Sequence, residues 1–143
     1  WNGEIEAGSV SDVPINGYDW YPTIAELTGH NAVAGGGIDG QSIVPVMRGE
    51  RQPAVGANRP LYWHFPFYHQ PVVNSKPQSA IRVGKYKAIY FYEDDRTELY
   101  NLDSDRAETH DIAGVAPEQT AKMKDMLFDL LDSVGARVPS KRN

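Results

Sequence analysis

The chain has no cysteine, which excludes disulfides, thiolate zinc sites and cysteine nucleophiles within it. That absence assigns no compartment. No apolar run approaches the roughly 20 residues needed to span a bilayer, so no membrane span is expected. Positive charge is scarce as well: 14 Lys and Arg against 19 Asp and Glu leave a formal charge of −5. Neutralising phosphates takes clustered cations, so the balance argues against a nucleic-acid partner. The acids gather between Glu93 and Asp132, where they read as a solvated face. No initiator Met, signal peptide or capping signal precedes Trp1, and W-N-G-E-I-E-A-G-S reads as the end of a strand entering a loop. The expectation is a fragment of a larger protein.

Aromatics are concentrated in residues 59–102, RPLYWHFPFYHQPVVNSKPQSAIRVGKYKAIYFYEDDRTELYNL, which also hold two of the four histidines and the clearest period-2 alternation. β-branched and aromatic residues favour a pleated, half-buried surface, so 59–65, 79–83 and 86–92 predict strands. Gly84-Lys85 makes a tight turn between the second and third, and a short fourth strand at 98–102 follows a charged turn at 93–96. The best helix follows. Pro117 suits its first position and Glu118 the positive end of its dipole. Met123, Met126, Leu127, Leu130, Leu131 and Val134 repeat at three and four, and Gly135 supplies the stop. The expected class is α+β: a small antiparallel sheet of about four strands covered by a C-terminal amphipathic helix.

Ahead of the sheet, residues 1–17 are turn-rich and expected to run over a surface. Residues 18–29 predict a two-turn helix with Asp19 as N-cap, Pro22 in the first turn and Gly29 as stop. Trp20, Ile24 and Leu27 form its apolar stripe. The Gly-rich 31–40 segment lacks the Lys-Ser/Thr ending and the strand–loop–helix context of a phosphate cradle, so it reads as a loop. Residues 41–48 suggest one helical turn broken at Pro45, and 49–58 a polar connection. Residues 101–113 predict a short helical stretch with Asp105 as N-cap and Glu108 completing a capping-box-like pair. A calcium loop fails there for want of the Gly and the distant bidentate Glu.

Candidate chemistry centres on W-H-F-P-F-Y-H. Pro66 ends or edges the strand, since it cannot donate to a ladder, so the residues beyond it lie in a loop free to reach a ligand. His64 and His69, with Tyr62, Trp63, Tyr68 and Lys76, allow an aromatic-walled polar pocket of the kind that grips a sugar. An ordinary aromatic core with histidines bonded to backbone accounts for the same residues. His30 and His110 read as surface residues. No third ligand falls at a zinc spacing and no Ser sits in a nucleophile elbow. Arg82 and Lys87 alternate away from Ile81, Val83 and Ala88 and read as solvated, with Arg82 able to lean into the pocket.

D-V-P-I-N-G-Y-D-W-Y-P-T-I-A-E-L-T-G, then I-D-G-Q-S-I-V-P-V-M-R-G, R-P-L-Y-W-H-F-P, S-A-I-R-V-G-K-Y-K-A-I and E-L-Y-N-L-D-S-D-R-A-E-T-H-D-I-A, together resemble the C-terminal part of a sulfatase. The family is the formylglycine-dependent arylsulfatase-like one of the alkaline phosphatase superfamily. The resemblance implies that residues 1–55 close an α/β catalytic domain and that 56–143 form a C-terminal subdomain packed beside it. It implies calcium and a formylglycine, made in a C/S-x-P-S-R motif, in that catalytic domain. The motif does not occur in this chain, so no catalytic residue or metal ligand is carried over, and the chain alone is expected to be inactive. Asp19 and Asp39 match positions that the family uses as turn and cap residues. In relatives the subdomain walls the substrate cleft, which makes His64, Tyr68 and His69 the substrate-contact candidates for a sulfated sugar or aryl sulfate. The implied location is periplasmic or extracellular, and the apolar docking face implies self-association of the isolated chain. Two alternatives stand: a phosphate or phosphonate monoester hydrolase of the same superfamily, and a stand-alone carbohydrate-binding module.

Overall fold

The structure is a computed structural model that describes residues 1–30, 37–50, 55–56, 58–68 and 76–139. It divides into two compact units, Trp1–Arg59 and Pro60–Asn143.

The second unit is built on a meander. Strands β1 (Leu61–Phe65), β2 (Gln78–Val83), β3 (Tyr86–Phe91) and β4 (Arg96–Asn101) pair antiparallel in that order. Register sets Ile81 opposite Ala88 and Ala88 opposite Leu99. Because alternate residues share a face, these three form a row on one side of the sheet, and none is exposed. Helix α3 (Pro117–Ser133) lies on that row through Met123, Leu127 and Leu131, spaced four apart so that they stack along one side of the helix. The expected stripe therefore covers the sheet as far as Leu131, while Val134 beyond it is exposed. Gly135, at φ +61°, ends the helix. Its N–H reaches Asp132 O and that of Ala136 reaches Leu131 O, the two bonds of a Schellman stop. Gly84, at φ +57°, turns β2 into β3. Strand β4 begins two residues earlier than its composition suggests, because the chain reverses through residues 92–95 with Asp95 at φ +51°.

No helix forms at 101–113. The Asp105 carboxylate instead accepts the Thr109 and His110 N–H groups at 2.9 Å each, and Glu108 takes a left-handed backbone at φ +55°. The cap residue closes a loop, and the loop runs on to Ile112, whose N–H meets Leu99 O at 2.8 Å.

In the first unit a 3₁₀ turn, Gly17–Asp19, leads into α1 (Trp20–Leu27), and α2 spans Val44–Met47. Residues 2–8 form turns, with the Ile5 N–H on Trp1 O at 2.9 Å, so the expected strand end is absent. Pro45 stands in the first turn of α2 rather than breaking it, which suits a residue whose missing N–H would be unpaired there anyway. Gly29 ends α1 at φ +72°. The Asp19 side chain makes no cap bond to α1. It accepts the N–H groups of Asn16 at 2.7 Å and Gln41 at 3.0 Å, and both Arg59 guanidinium nitrogens at 2.9 and 2.5 Å. Burial pushes the Asp19 carboxyl up, but Arg59 and the two backbone donors outweigh it and hold the group below the usual carboxylate range. Thr23 Oγ1 extends the node by donating to Asp19 O at 2.6 Å and accepting the Ile43 N–H at 3.0 Å. Gly40 passes so close to Tyr18 that a Cβ there would run into its carbonyl oxygen.

The stripe read on α1 faces outward. Trp20, Ile24 and Leu27 are exposed, and it is Pro22, Thr23 and Ala25 that are buried.

Candidate functional site

Strand β1 ends at Phe65 and delivers two of the three expected contact residues within four positions. His64 lies opposite Ser79 in the β1–β2 register, on the side of the sheet that α3 covers. Its Nδ1 is 2.6 Å from Ser79 Oγ and its Nε2 is 3.0 Å from the Arg137 carbonyl. Ser79 Oγ is in turn 2.8 Å from the Tyr92 hydroxyl. These distances order the protons. A carbonyl only accepts, so Nε2 carries the hydrogen in neutral imidazole and Nδ1 accepts from the Ser79 hydroxyl. Ser79 Oγ then accepts from Tyr92, whose hydroxyl burial pushes above its usual range. Both ring nitrogens of His64 are thus engaged within the chain, and the ring ties the segment after α3 to the end of β1.

Tyr68 sits beyond Pro66 and is exposed. The Glu93 carboxylate takes Lys76 Nζ at 2.5 Å. The Glu93 partnership raises Lys76, and Lys76 in turn holds Glu93 below the usual carboxylate range. The structure therefore pairs Lys76 with Glu93 and sets His64 in a separate chain of bonds. His69 lies outside the described residues. His30 and His110 are exposed, each bonded to a threonine hydroxyl.

Trp63, His64, Phe65, Gln78, Ala80, Lys87 and Ile89 line an open concavity of about 510 Å³. Lys87, expected to be solvated, is half-buried and bonds both Glu108 carboxylate oxygens at 2.7 and 2.6 Å. The backbone turn at Glu108 that replaces the expected helix is what brings that carboxylate over. Arg82 donates to Gly84 O of its own turn at 3.2 Å.

Ser79 is buried and its proton is committed to His64. Among the described residues no group of three or more His, Cys, Asp or Glu side chains could hold a metal ion. The sequence carries no C/S-x-P-S-R motif. Sequence reading missed the partners of the candidates, Ser79, Tyr92, Glu93 and the Arg137 carbonyl. Alternation put His64 and Ser79 on strands, but only the register shows that they face each other.

Comparison with known proteins bears on the whole chain. Residues 1–136 match the family described as N-sulphoglucosamine sulphohydrolase, C-terminal. A sulfatase of Formosa agariphila is 38% identical over an alignment of 125 residues, and the match covers 82% of this chain and 22% of that protein. Arylsulfatase K of Danio rerio is 25% identical over 130 residues, 90% of this chain and 24% of that protein. Among solved structures, BT4656 in complex with its substrate D-glucosamine-2-N,6-O-disulfate is 32% identical with a TM-score of 0.67, and the match covers 91% of this chain and 26% of that one. The chain thus spans about a quarter of the length of these relatives.

Proposed function

Because this chain belongs to the N-sulphoglucosamine sulphohydrolase C-terminal family, we propose that it is the C-terminal part of a sulfuric ester hydrolase acting on sulfated carbohydrate or aryl sulfate. The family match over residues 1–136 carries the reading, and the likeness to a protein solved with a sulfated glucosamine supports the substrate class. In this reading residues 1–55 close the catalytic domain and 56–143 form the subdomain that walls the cleft. The nucleophile, a formylglycine, and its calcium belong to the rest of the parent, so the chain by itself releases no sulfate. The outward stripe of α1 and the open sheet face around Trp63 and Phe65 are the apolar surfaces that dock on that domain, and an isolated chain self-associates through them. The parent is periplasmic or extracellular.

Tyr68 and His69 are the substrate contacts in this proposal, and His64 anchors the end of β1 through Ser79 and Arg137.

Free sulfate is the decisive product. The parent should release it from D-glucosamine-2-N,6-O-disulfate or an aryl sulfate, measured by ion chromatography. A parent that cleaves only phosphate or phosphonate monoesters would overturn the reading. A monomeric isolated chain that binds sugar by calorimetry would favour the carbohydrate-binding module instead. Alanine at Tyr68 or His69 should raise KM for the sulfated sugar more than for the aryl sulfate, and three neutral alanine variants would remove the contact assignment.

A further inference from the structure

The chain leaves helix α3 through a backbone held at three successive residues. Gly135 donates its N–H to Asp132 O at 2.9 Å and Ala136 to Leu131 O at 2.8 Å. The Arg137 carbonyl then accepts from His64 Nε2 at 3.0 Å. Ala136 packs against the core of the second unit. Behind His64 stand Ser79 and Tyr92, both buried, so the bond to Arg137 is anchored inside the sheet. Arg137 itself is exposed, and its guanidinium has no partner among the described residues. By contrast, Lys76, Lys87, Arg96 and Lys124 of the same unit each pair with a carboxylate. His64 also lines the concavity walled by Trp63 and Phe65, which sets the Arg137 backbone at the margin of that concavity. A side chain on a fixed backbone has less freedom to lose on binding than one on a loose segment.

We propose that Arg137 binds an oxyanion substituent of the substrate glycan, a sulfate or a carboxylate, and so selects for anionic chains. The proposal rests on the sulfatase reading above and deepens it. A guanidinium suits either group, because its planar fork donates two parallel N–H bonds to two oxygens of one oxyanion. It also stays charged at every working pH. The paired cations are poorer candidates. Lys87 would first have to give up both oxygens of Glu108, and Lys76 would have to give up Glu93, whereas Arg137 has no side-chain bond to break. A carboxylate of the docked catalytic domain is the competing occupant, and stability separates it from substrate: a bond within the enzyme holds the fold together, and a bond to substrate does not.

The test uses the complete parent enzyme with Arg137→Gln and Arg137→Lys. Glutamine removes the charge, while lysine keeps it and loses the fork. KM for a heparin-derived sulfated tetrasaccharide should rise roughly tenfold for glutamine and less for lysine. Each rise should exceed that of KM for 4-nitrophenyl sulfate, with the thermal midpoint unmoved. Added salt should raise the wild-type KM for the tetrasaccharide more steeply than that of the glutamine variant. Repeating the comparison on the carboxyl-reduced tetrasaccharide names the group: an effect that persists assigns the contact to a sulfate, and one that vanishes assigns it to a carboxylate. An unchanged ratio of the two KM values would overturn the proposal. So would a lowered thermal midpoint in the glutamine variant, which would put the guanidinium on a carboxylate of the catalytic domain. A wild-type parent that releases sulfate from neither compound would sink the underlying reading instead. Calorimetry of the tetrasaccharide on wild type and the glutamine variant would then decide the Arg137 contact, with tighter binding by wild type supporting it and equal or absent binding overturning it.

Discussion

Within Pro60–Asn143, three strands and one helix bury Ile81, Leu99, Met123, Leu127 and Leu131 almost completely, whereas among the described residues of Trp1–Arg59 the side chains with no exposure at all are Asp19 and Thr23, beside the nearly buried Ile43, Val44 and Val55. In that first unit Trp1, Trp20, Tyr21, Ile24 and Leu27 stand in solvent. Its buried polar side-chain atoms include two without a partner, Gln41 Oε1 and Arg59 Nε, and no other such atom occurs among the described residues. An apolar core contributes stability in proportion to the surface it removes from water. A buried ion pair offsets its own desolvation and adds little net, although breaking it is costly. The second unit thus carries its own stabilisation. The first has its geometry fixed by a polar node, and it leaves the apolar surface that would stabilise it facing outward. That is the character expected of a segment closing a larger domain.

The contrast can be broken from either side. Arg59→Met should leave the buried Asp19 carboxylate unpaired and cost about 3–5 kcal/mol. Residue-resolved hydrogen exchange should show the loss confined to residues 1–59, and a loss spread evenly over the chain would erase the distinction. In the other unit, Leu127→Ala opens a cavity under α3 and should cost about 2–5 kcal/mol, with exchange rising in β2, β3 and β4 by the same measurement. Gly40→Ala drives a methyl into the Tyr18 carbonyl, and overpacking of that kind costs roughly 1–3 kcal/mol. Its exchange signature should match that of Arg59→Met. If Gly40→Ala is neutral, the close approach is not required.

The two units should also fail at opposite ends of the pH scale. The Asp19 carboxyl lies below its ordinary 3.8 when folded, so its contribution is present above that value and fades as pH falls below it. Tyr90, pushed up by burial and by its bond to Asp95, titrates at about 12 instead of 10.0. A raised folded value means stability that is intact below 10.0 and lost as pH climbs toward about 12. Acid should therefore open residues 1–59 first and alkali the β3–β4 turn first, with exposed Glu93 adding a smaller, solvent-screened acid loss to the second unit. Exchange profiles at the two extremes would check the order, and the reverse order would refute it.

How much of this was legible in the sequence follows from the range of the forces involved. The four strands and α3 could be read because alternation and the four-residue repeat are local records of burial. The missing helix at 101–113 shows the limit of that reading. The same Asp105 that would cap a helix bonds Thr109 and His110 instead, a local competition that composition does not resolve. The stripe on α1 was legible as a stripe, but not the side it would face, since that depends on what covers it. Bonds across long separations left no trace. Asp19 meets Arg59 across 40 residues and His64 meets Arg137 across 73. The expected grouping of His64 with Lys76 was therefore the least legible point: both were named together, whereas His64 meets Ser79 and Lys76 meets Glu93.

The most direct test of the account is the reading frame upstream of the Trp1 codon. The account predicts a C/S-x-P-S-R motif there, within an α/β domain bearing calcium-type Asp and Asn residues, and sulfate release by the polypeptide that carries both parts. A start codon or signal peptide immediately before Trp1, in a product that folds and binds sugar without any such domain, would contradict it.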